Sequence, residues 1–212
     1  MPFLLIDKPV GPTSHDIVDQ VRRITGERRV GHAGTLDPFA SGLLIVAVGR
    51  ESTKELSKFV GLGKVYEATF ILGGSSDTDD RTGKITPVPL PPGLTEEKIK
   101  TAIGKFIGEI EQIPPAYAAI KIGGKKMYEA AREGKPLEAK ARPVTIFEYD
   151  LTSTPLVKTD TVEIRVYIKC SSGTYIRALA RDLGQALGTG GYVSELRRTA
   201  IGQYKVEDAK TL

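Results

Sequence analysis

The chain has 212 residues, 40% apolar and 26% charged, a composition that supports one or two compact domains with a sizeable core and argues against disorder. One cysteine and two histidines exclude an internal disulfide and a Cys/His zinc site and fit a reducing cytoplasm, and no apolar run approaches the roughly 18 residues needed to cross a bilayer. The N-terminal MPFLLIDKPVG lacks the basic region and apolar stretch of a signal peptide, and the net charge of +4 leans toward a polyanionic partner.

In chain order, Phe3–Asp7 reads as a short buried strand, broken by Gly11-Pro12-Thr13. Ser14 is the expected N-cap of a helix with Ile17, Val18, Val21 and Ile24 on one stripe. The apolar run Leu43–Val48 has strand length, Thr53–Val60 reads as a short helix, and Tyr66, Ala68, Phe70 and Leu72 alternate along a strand. The proline-rich 87–93 stretch is extended and leads into a helix from about Thr95 to Ile107. Lys121–Gly134 holds a glycine turn and then a helix. Strands follow near Val144–Leu151 and Val162–Cys170, and in the second Val162, Ile164, Val166, Ile168 and Cys170 share a face. Tyr175–Leu187 is the clearest helix, stopped by Gly188, and a strand near Val193–Thr199 precedes a polar tail. Strands joined mostly to strands, with interspersed helices, predict an α+β domain on a mixed, largely antiparallel sheet.

The charge is unevenly spread. Lys121 to Arg142 holds seven basic residues (Lys121, Lys125, Lys126, Arg132, Lys135, Lys140, Arg142) against Glu129, Glu133 and Glu138, so this segment carries the whole excess. It can serve as a phosphate-binding patch or as a solvated helix face. A phosphate-binding P-loop and a dinucleotide fingerprint are both absent, so no nucleotide cofactor is expected. Asp77-Thr78-Asp79-Asp80 opens like a calcium loop, but Gly83 comes one place late and Val88 stands where a bidentate Glu belongs, so a solvated acidic loop is expected.

Three local features admit both plain and functional readings. Gly31-His32-Ala33-Gly34-Thr35-Leu36-Asp37-Pro38 sets a carboxylate at a loop edge, because the residue before proline is pushed out of the helical region, yet an Asp-Pro can be an ordinary turn. Ser171–Arg177 opens the strongest helix with an arginine in its first turn, where the helix dipole favours anions, so a partner carboxylate, a phosphate or a surface ion pair is implied. Tyr66 is a core tyrosine or a base-stacking one.

Taken together, six segments resemble the TruB family of pseudouridine synthases in sequence and in order. They are Asp7–Ser14, Gly31–Pro38, Lys64–Glu67, the Ile113-Pro114-Pro115-Tyr117-Ala119-Lys121 pattern, Gly173–Arg177 and Leu196–Arg198. The resemblance runs from about residue 3 to residue 210 and implies a pseudouridine synthase fold over 1–212. The C-terminal PUA-like domain of most bacterial relatives is then absent or truncated. It also implies isomerisation of uridine 55 in the T loop of tRNA, by flipping the base out and by aspartate-dependent cleavage and re-formation of the glycosidic bond. Asp37 matches the catalytic aspartate, Tyr66 the tyrosine that stacks on the target base, and Arg177 the arginine paired with the aspartate. His32 matches the residue that fills the space left by the extruded uridine, and Tyr175 and Leu196 match further lining residues. Lys8, and Lys121, Lys125, Lys126 and Arg132 of the RNA-gripping insert, are expected to bind substrate. The family chemistry calls for no metal or other cofactor, and the implied partner is the T arm of tRNA, bound by a monomer away from membranes. Two alternatives share these motifs or this partner: an RNA-guided pseudouridine synthase, and a tRNA-folding chaperone acting through binding.

Overall fold

The computed structural model describes residues 3–118, 120–133, 137 and 139–212. Its elements in chain order are β1 (Phe3–Lys8), α1 (Ser14–Thr25), β2 (Val30–Ala33), β3 (Ser41–Val48), α2 (Arg50–Lys54), α3 (Ser57–Val60), β4 (Lys64–Leu72), β5 (Gly74–Ser76) and β6 (Ile85–Pro87). There follow α4 (Glu96–Gly104), β7 (Gly108–Gln112), β8 (Lys121–Ile122), β9 (Lys125–Lys126), α5 (Met127–Arg132), β10 (Arg142–Leu151), β11 (Leu156–Val157), β12 (Val162–Cys170), α6 (Ile176–Leu187), β13 (Gly191–Ile201) and β14 (Tyr204–Lys205), with a last 3₁₀ turn at Val206–Asp208. The chain forms two compact units, one of Met1–Glu67, Ile168–Ser172 and Glu195–Leu212, the other of Ala68–Tyr167 and Gly173–Ser194. Strands β4, β12 and β13 contribute residues to both. The architecture is α+β on a mixed, mostly antiparallel sheet.

In the first unit the strand order is β1-β3-β13-β4-β12. β3 is buried on both faces, which is why it reads as an unbroken apolar run. Leu44 and Val46 join Ile6, Val30 and the α1 residues Ile17, Val18 and Val21, while Leu43 and Ile45 meet Ala33, Phe59, Ile201 and Val206. Each such buried Val, Leu, Ile or Phe side chain contributes about 1.5–3 kcal/mol. One edge of β3 pairs with β1 from Gly42 to Ala47; the other pairs with β2 from Ile45 to Val48 and with β13, in parallel, at Ser41 and Gly42. The loop between β2 and β3 leaves the sheet where β3 changes partner. Gly42 is required at that change, since its φ is +107° and a Cβ there would collide with the Arg198 main chain.

The second unit holds its own parts of β13, β4 and β12, then β10 and β7, with β7 antiparallel to β10 from Gly108↔Ile146 to Gln112↔Arg142. On β12 the predicted alternation is exact to the residue, with Val162, Ile164, Val166, Ile168 and Cys170 all buried. α6 buries Ile176, Leu179, Ala180 and Leu183. Gly123 and Gly124, both at positive φ, make the two-residue turn of the β8–β9 hairpin.

Several expectations need correction. The N-cap of α1 is Thr13, in a capping box with Asp16, because Thr13 and Asp16 have the spacing for reciprocal bonds and Ser14 is engaged elsewhere. Ile24 is exposed, since the last turn of α1 runs past the core before Gly26 ends it. The 53–60 helix is two short helices. The helix expected to reach Ile107 ends at Gly104. The first three residues of the Gly31–Pro38 loop belong to strand β2. The polar tail is folded: Val206 is buried, and Lys210 exchanges main-chain bonds with Leu5 and Asp7. The acidic loop is not solvated, because Asp79 and Asp80 are buried against arginines. Ala119, Gly134, Lys135 and Glu138 lie outside the described residues.

Candidate active site

Asp37 belongs to the first unit, and its two neighbours are pinned, one to the first residue of α1 and the other to the turn before it. The Ser14 hydroxyl accepts from Leu36 N at 2.8 Å and donates to Leu36 O at 3.1 Å, and Gly11 N donates to Pro38 O at 2.8 Å. Leu36, Phe39 and Ala40 are buried in the core, so the loop is anchored on both sides of a half-buried Asp37. Pro38 bars Asp37 from helical geometry, and the Asp37 carbonyl closes a turn onto Ala40 N at 3.1 Å.

A buried arginine organises the surroundings. Arg198, 1% exposed, donates from Nε to Leu43 O at 2.8 Å, from Nη2 to Gly34 O at 3.1 Å and from Nη1 to Thr35 O at 3.4 Å. Two of these carbonyls belong to the Asp37 loop, so Arg198 fixes the loop from the β13 side as Ser14 does from α1. Its charge is felt by four groups. Lys8 is buried with Nζ donating to Pro9 O and Pro12 O, and burial brings its ammonium down to about 8; the Asp37 carboxylate opposes that shift and Arg198 adds to it. Lys64, with Nζ on Val60 O and Leu62 O, is also brought down to about 8 by burial and then by Arg198. The His32 imidazole is pushed down by burial and by Arg198, which keeps it neutral at pH 7. Burial pushes the Tyr66 phenol up, while the Arg198 guanidinium beside it pulls the other way and the Asp37 carboxylate adds to the rise. The first unit thus gathers Lys8, His32, Asp37 and Tyr66, with Leu196 buried two residues before Arg198 on the same face of β13.

Arg177 and Tyr175 belong to the second unit. Arg177, 4% exposed, donates to Thr78 O at 3.0 Å and Tyr117 O at 3.3 Å and faces the Asp80 carboxylate at 3.5 Å. Asp80 is fixed in turn, its other oxygen accepting from Thr78 Oγ1, Thr82 N and Thr82 Oγ1 at 2.5–2.9 Å. An arginine ill-placed for the helix dipole is thereby compensated by one carboxylate and two carbonyls. The Tyr175 main chain is held by Gln112, whose amide accepts from Tyr175 N at 2.8 Å and donates to Tyr175 O at 3.1 Å. Lys121, Lys125 and Lys126 lie on the β8–β9 hairpin and Arg132 at the end of α5; their side chains lie outside those described.

Sequence reasoning missed Ser14 as a loop anchor, Asp80, Gln112 and Arg198. For Arg198 the signal was present: it stands two residues from Leu196 on a strand, so it had to face the same buried side. The others are polar pairings over long separations and leave no periodic trace.

The family model described as "TruB family pseudouridylate synthase (N terminal domain)" matches residues 22–176. The chain belongs to the TruB family. A second TruB model, "tRNA pseudouridylate synthase B C-terminal domain", matches 177–212. The chain is 45% identical to the tRNA pseudouridine synthase B of Arthrobacter sp. (strain FB24), over 99% of this chain and 69% of that protein. It is 46% identical to the protein of that name from Mycobacterium tuberculosis (strain ATCC 25618 / H37Rv), over 99% of this chain and 70% of that one. Among solved structures it resembles a chain of an H/ACA ribonucleoprotein bound to a substrate RNA containing 2′-deoxyuridine. The TM-score is 0.69 and the identity 28%, covering 99% of this chain but 50% of that one. The TruB chain therefore spans about half the length of the solved structure it matches.

Proposed function

We propose that this TruB-family chain isomerises uridine 55 in the T loop of tRNA to pseudouridine, acting in the cytoplasm as a monomer that grips the T arm. The observation that carries the reading is the convergence of Asp37, Tyr66 and Lys8 in the first unit, with the loop bearing Asp37 fastened at Leu36, Pro38, Gly34 and Thr35. A uridine stacked in a loop exposes neither C1′ nor C6, so it is flipped into the site. The N1–C1′ bond breaks, the base turns, C5 joins C1′, and the C5 proton is exchanged for one on N1. Atoms and electrons balance within the substrate, so the reaction consumes no nucleotide or redox partner. Asp37 supplies the anionic oxygen and Tyr66 stacks on the base, while the family resemblance assigns Arg177 the part of the arginine paired with the catalytic aspartate. Tyr175 and Leu196 match the family's lining residues, His32 fills the gap left in the RNA, and Lys8, Lys121, Lys125, Lys126 and Arg132 serve substrate binding. The 45% identity to tRNA pseudouridine synthase B, against 28% to the ribonucleoprotein chain, favours tRNA over a guide-RNA assembly.

The test is incubation with unmodified tRNA, without added cofactor, followed by nucleotide-resolution pseudouridine mapping. Wild type is expected to convert one T-loop uridine over multiple turnovers, whereas Asp37→Asn converts none yet retains tRNA binding. The amide keeps the shape of the side chain but cannot supply the anionic oxygen. Substantial conversion by Asp37→Asn removes Asp37 from the chemistry. Wild-type binding without conversion leaves the chaperone reading.

A further inference from the structure

Arg177 and Arg181 stand four residues apart on α6, so their side chains leave one face of the helix a turn apart. Each reaches in the same two directions. Toward the acidic loop, Arg177 faces Asp80 at 3.5 Å and donates to Thr78 O, and Arg181 Nη1 donates to Asp79 Oδ2 at 2.9 Å. Toward the segment that leads into the basic insert, Arg177 Nη2 donates to Tyr117 O at 3.3 Å and Arg181 Nη2 to Ile113 O at 2.8 Å. Arg181 Nε also closes on Asp182 Oδ1 at 2.9 Å. Two parallel rungs thus tie one loop and one segment to one helix face.

The second rung is costly to build. Asp79 is the only non-glycine residue among those described at positive φ, +59°, and it is buried. Burial holds its carboxyl up at about 6 even with Arg181 and Arg177 beside it. A buried pair whose desolvation outweighs its attraction adds little stability; it supplies a fixed geometry. That geometry passes to the first rung through covalent adjacency, because Asp79 and Asp80 are consecutive. The backbone around them is clamped by Val193, whose N donates to Asp79 O at 3.1 Å and whose O accepts from Arg81 N at 2.9 Å.

We infer that Arg181, acting through Asp79 and the Ile113 carbonyl, is a positioning residue that holds the Arg177–Asp80 rung and the 113–117 segment in place for uridine isomerisation. The inference rests on the proposed role of Arg177 in that reaction. The first unit has its own bidentate pair, Arg197 on Asp7.

Two variants of the full chain test it. Arg181→Lys keeps the charge and removes the fork. Asp79→Asn combined with Arg181→Gln leaves a neutral pair and no buried charge without a partner, which protects folding. Three quantities are read: the single-turnover rate on unmodified tRNA at saturating enzyme, amide exchange across 113–118, and Tm. Both variants are expected to fold with Tm near wild type and to lose about tenfold or more in rate, the scale on which small misplacements of a reacting group act. Exchange of the Ala118 amide, bonded to Pro115 O, should quicken. A folded double variant with wild-type rate and wild-type exchange overturns the inference. So does a rate loss that vanishes well below Tm, which makes the pair purely structural. If wild type itself is inactive on tRNA, the proposed function fails, while the exchange data still report whether Arg181 holds the segment.

Discussion

At the residue scale, burial and charge oppose one another at Asp79, and the outcome is measurable. Its carboxyl sits at about 6 when folded against 3.8 unperturbed, raised by burial and only partly pulled back by Arg181 and Arg177. The folded chain therefore binds this proton more tightly than the unfolded one. In the window between these values the residue adds stability as pH falls, and that stability is lost as pH rises through about 6. Two units correspond to on the order of 3 kcal/mol across the full window. Asp79→Asn has no such proton. Urea midpoints at about pH 4 and about pH 7 for wild type and variant should show Asn more favourable, relative to Asp, at the higher pH. The attraction of Arg181 for the ionised carboxylate is already contained in the folded value of about 6, and the difference between protonated Asp and Asn does not change with pH and cancels in that comparison. An equal difference between the two proteins at both pH values would show that burial does not perturb Asp79.

At the element scale, the start of α1 divides two tasks between neighbouring hydroxyls. Thr13 caps the helix, leaving Ser14 free to hold both main-chain polar groups of Leu36, beside Asp37. Thr13→Ala is expected to cost about 1 kcal/mol of stability. Ser14→Ala strands a buried N–H and a buried C=O and is expected to cost about 1–3 kcal/mol. The two should part company in single-turnover rate, which falls several-fold further for Ser14→Ala at a matched margin below Tm, since only Ser14 touches the Asp37 loop. Equal rates for the two variants would mean that the Leu36 bonds do not place Asp37. The same region shows what the sequence made legible. The stripe Ile17–Val18–Val21, the alternation on β12 and the α6 face were readable because burial imposes periods of 3.6 and 2 on the apolar residues. Ser14 was misread because a hydroxyl at a helix start fits a cap equally well, and only the Thr13–Asp16 spacing distinguishes the two. Asp80 and Asp79 were read as solvated because a run of acids carries no apolar pattern; their burial depends on arginines about a hundred positions away. The family resemblance names Asp37, Tyr66 and Arg177, but not the arginine and serine that hold the Asp37 loop.

At the scale of the whole molecule, charge is the property that reaches the substrate first. The net +4 is equal to the excess carried by 121–142 alone, so the rest of the chain is neutral on balance and the basic insert is the segment whose charge is to be tested against a polyanion. The backbone of that insert forms the β8–β9 hairpin, with Lys125 and Lys126 consecutive on β9, and then α5. If these lysines neutralise phosphates, each contact releases counterions, and log Kd depends on log salt with a slope of about 0.7–0.9 per contact. Reversing both charges, Lys125→Glu with Lys126→Glu, should make the slope shallower by about 1.5 and weaken binding more at low salt than at high. Between about 50 and 200 mM salt the deficit should shrink by nearly tenfold, because the lost contacts are the salt-sensitive ones. Tm should change little, since the substitutions fall on a two-residue strand of an isolated hairpin. The single-turnover rate at saturating enzyme should also hold, because the insert then acts on capture and Asp37 on chemistry. An unchanged slope and Kd would make the basic segment a solvated face, and tRNA capture would have to be sought elsewhere. A lost single-turnover rate at saturation would instead give the hairpin a part in shaping the site.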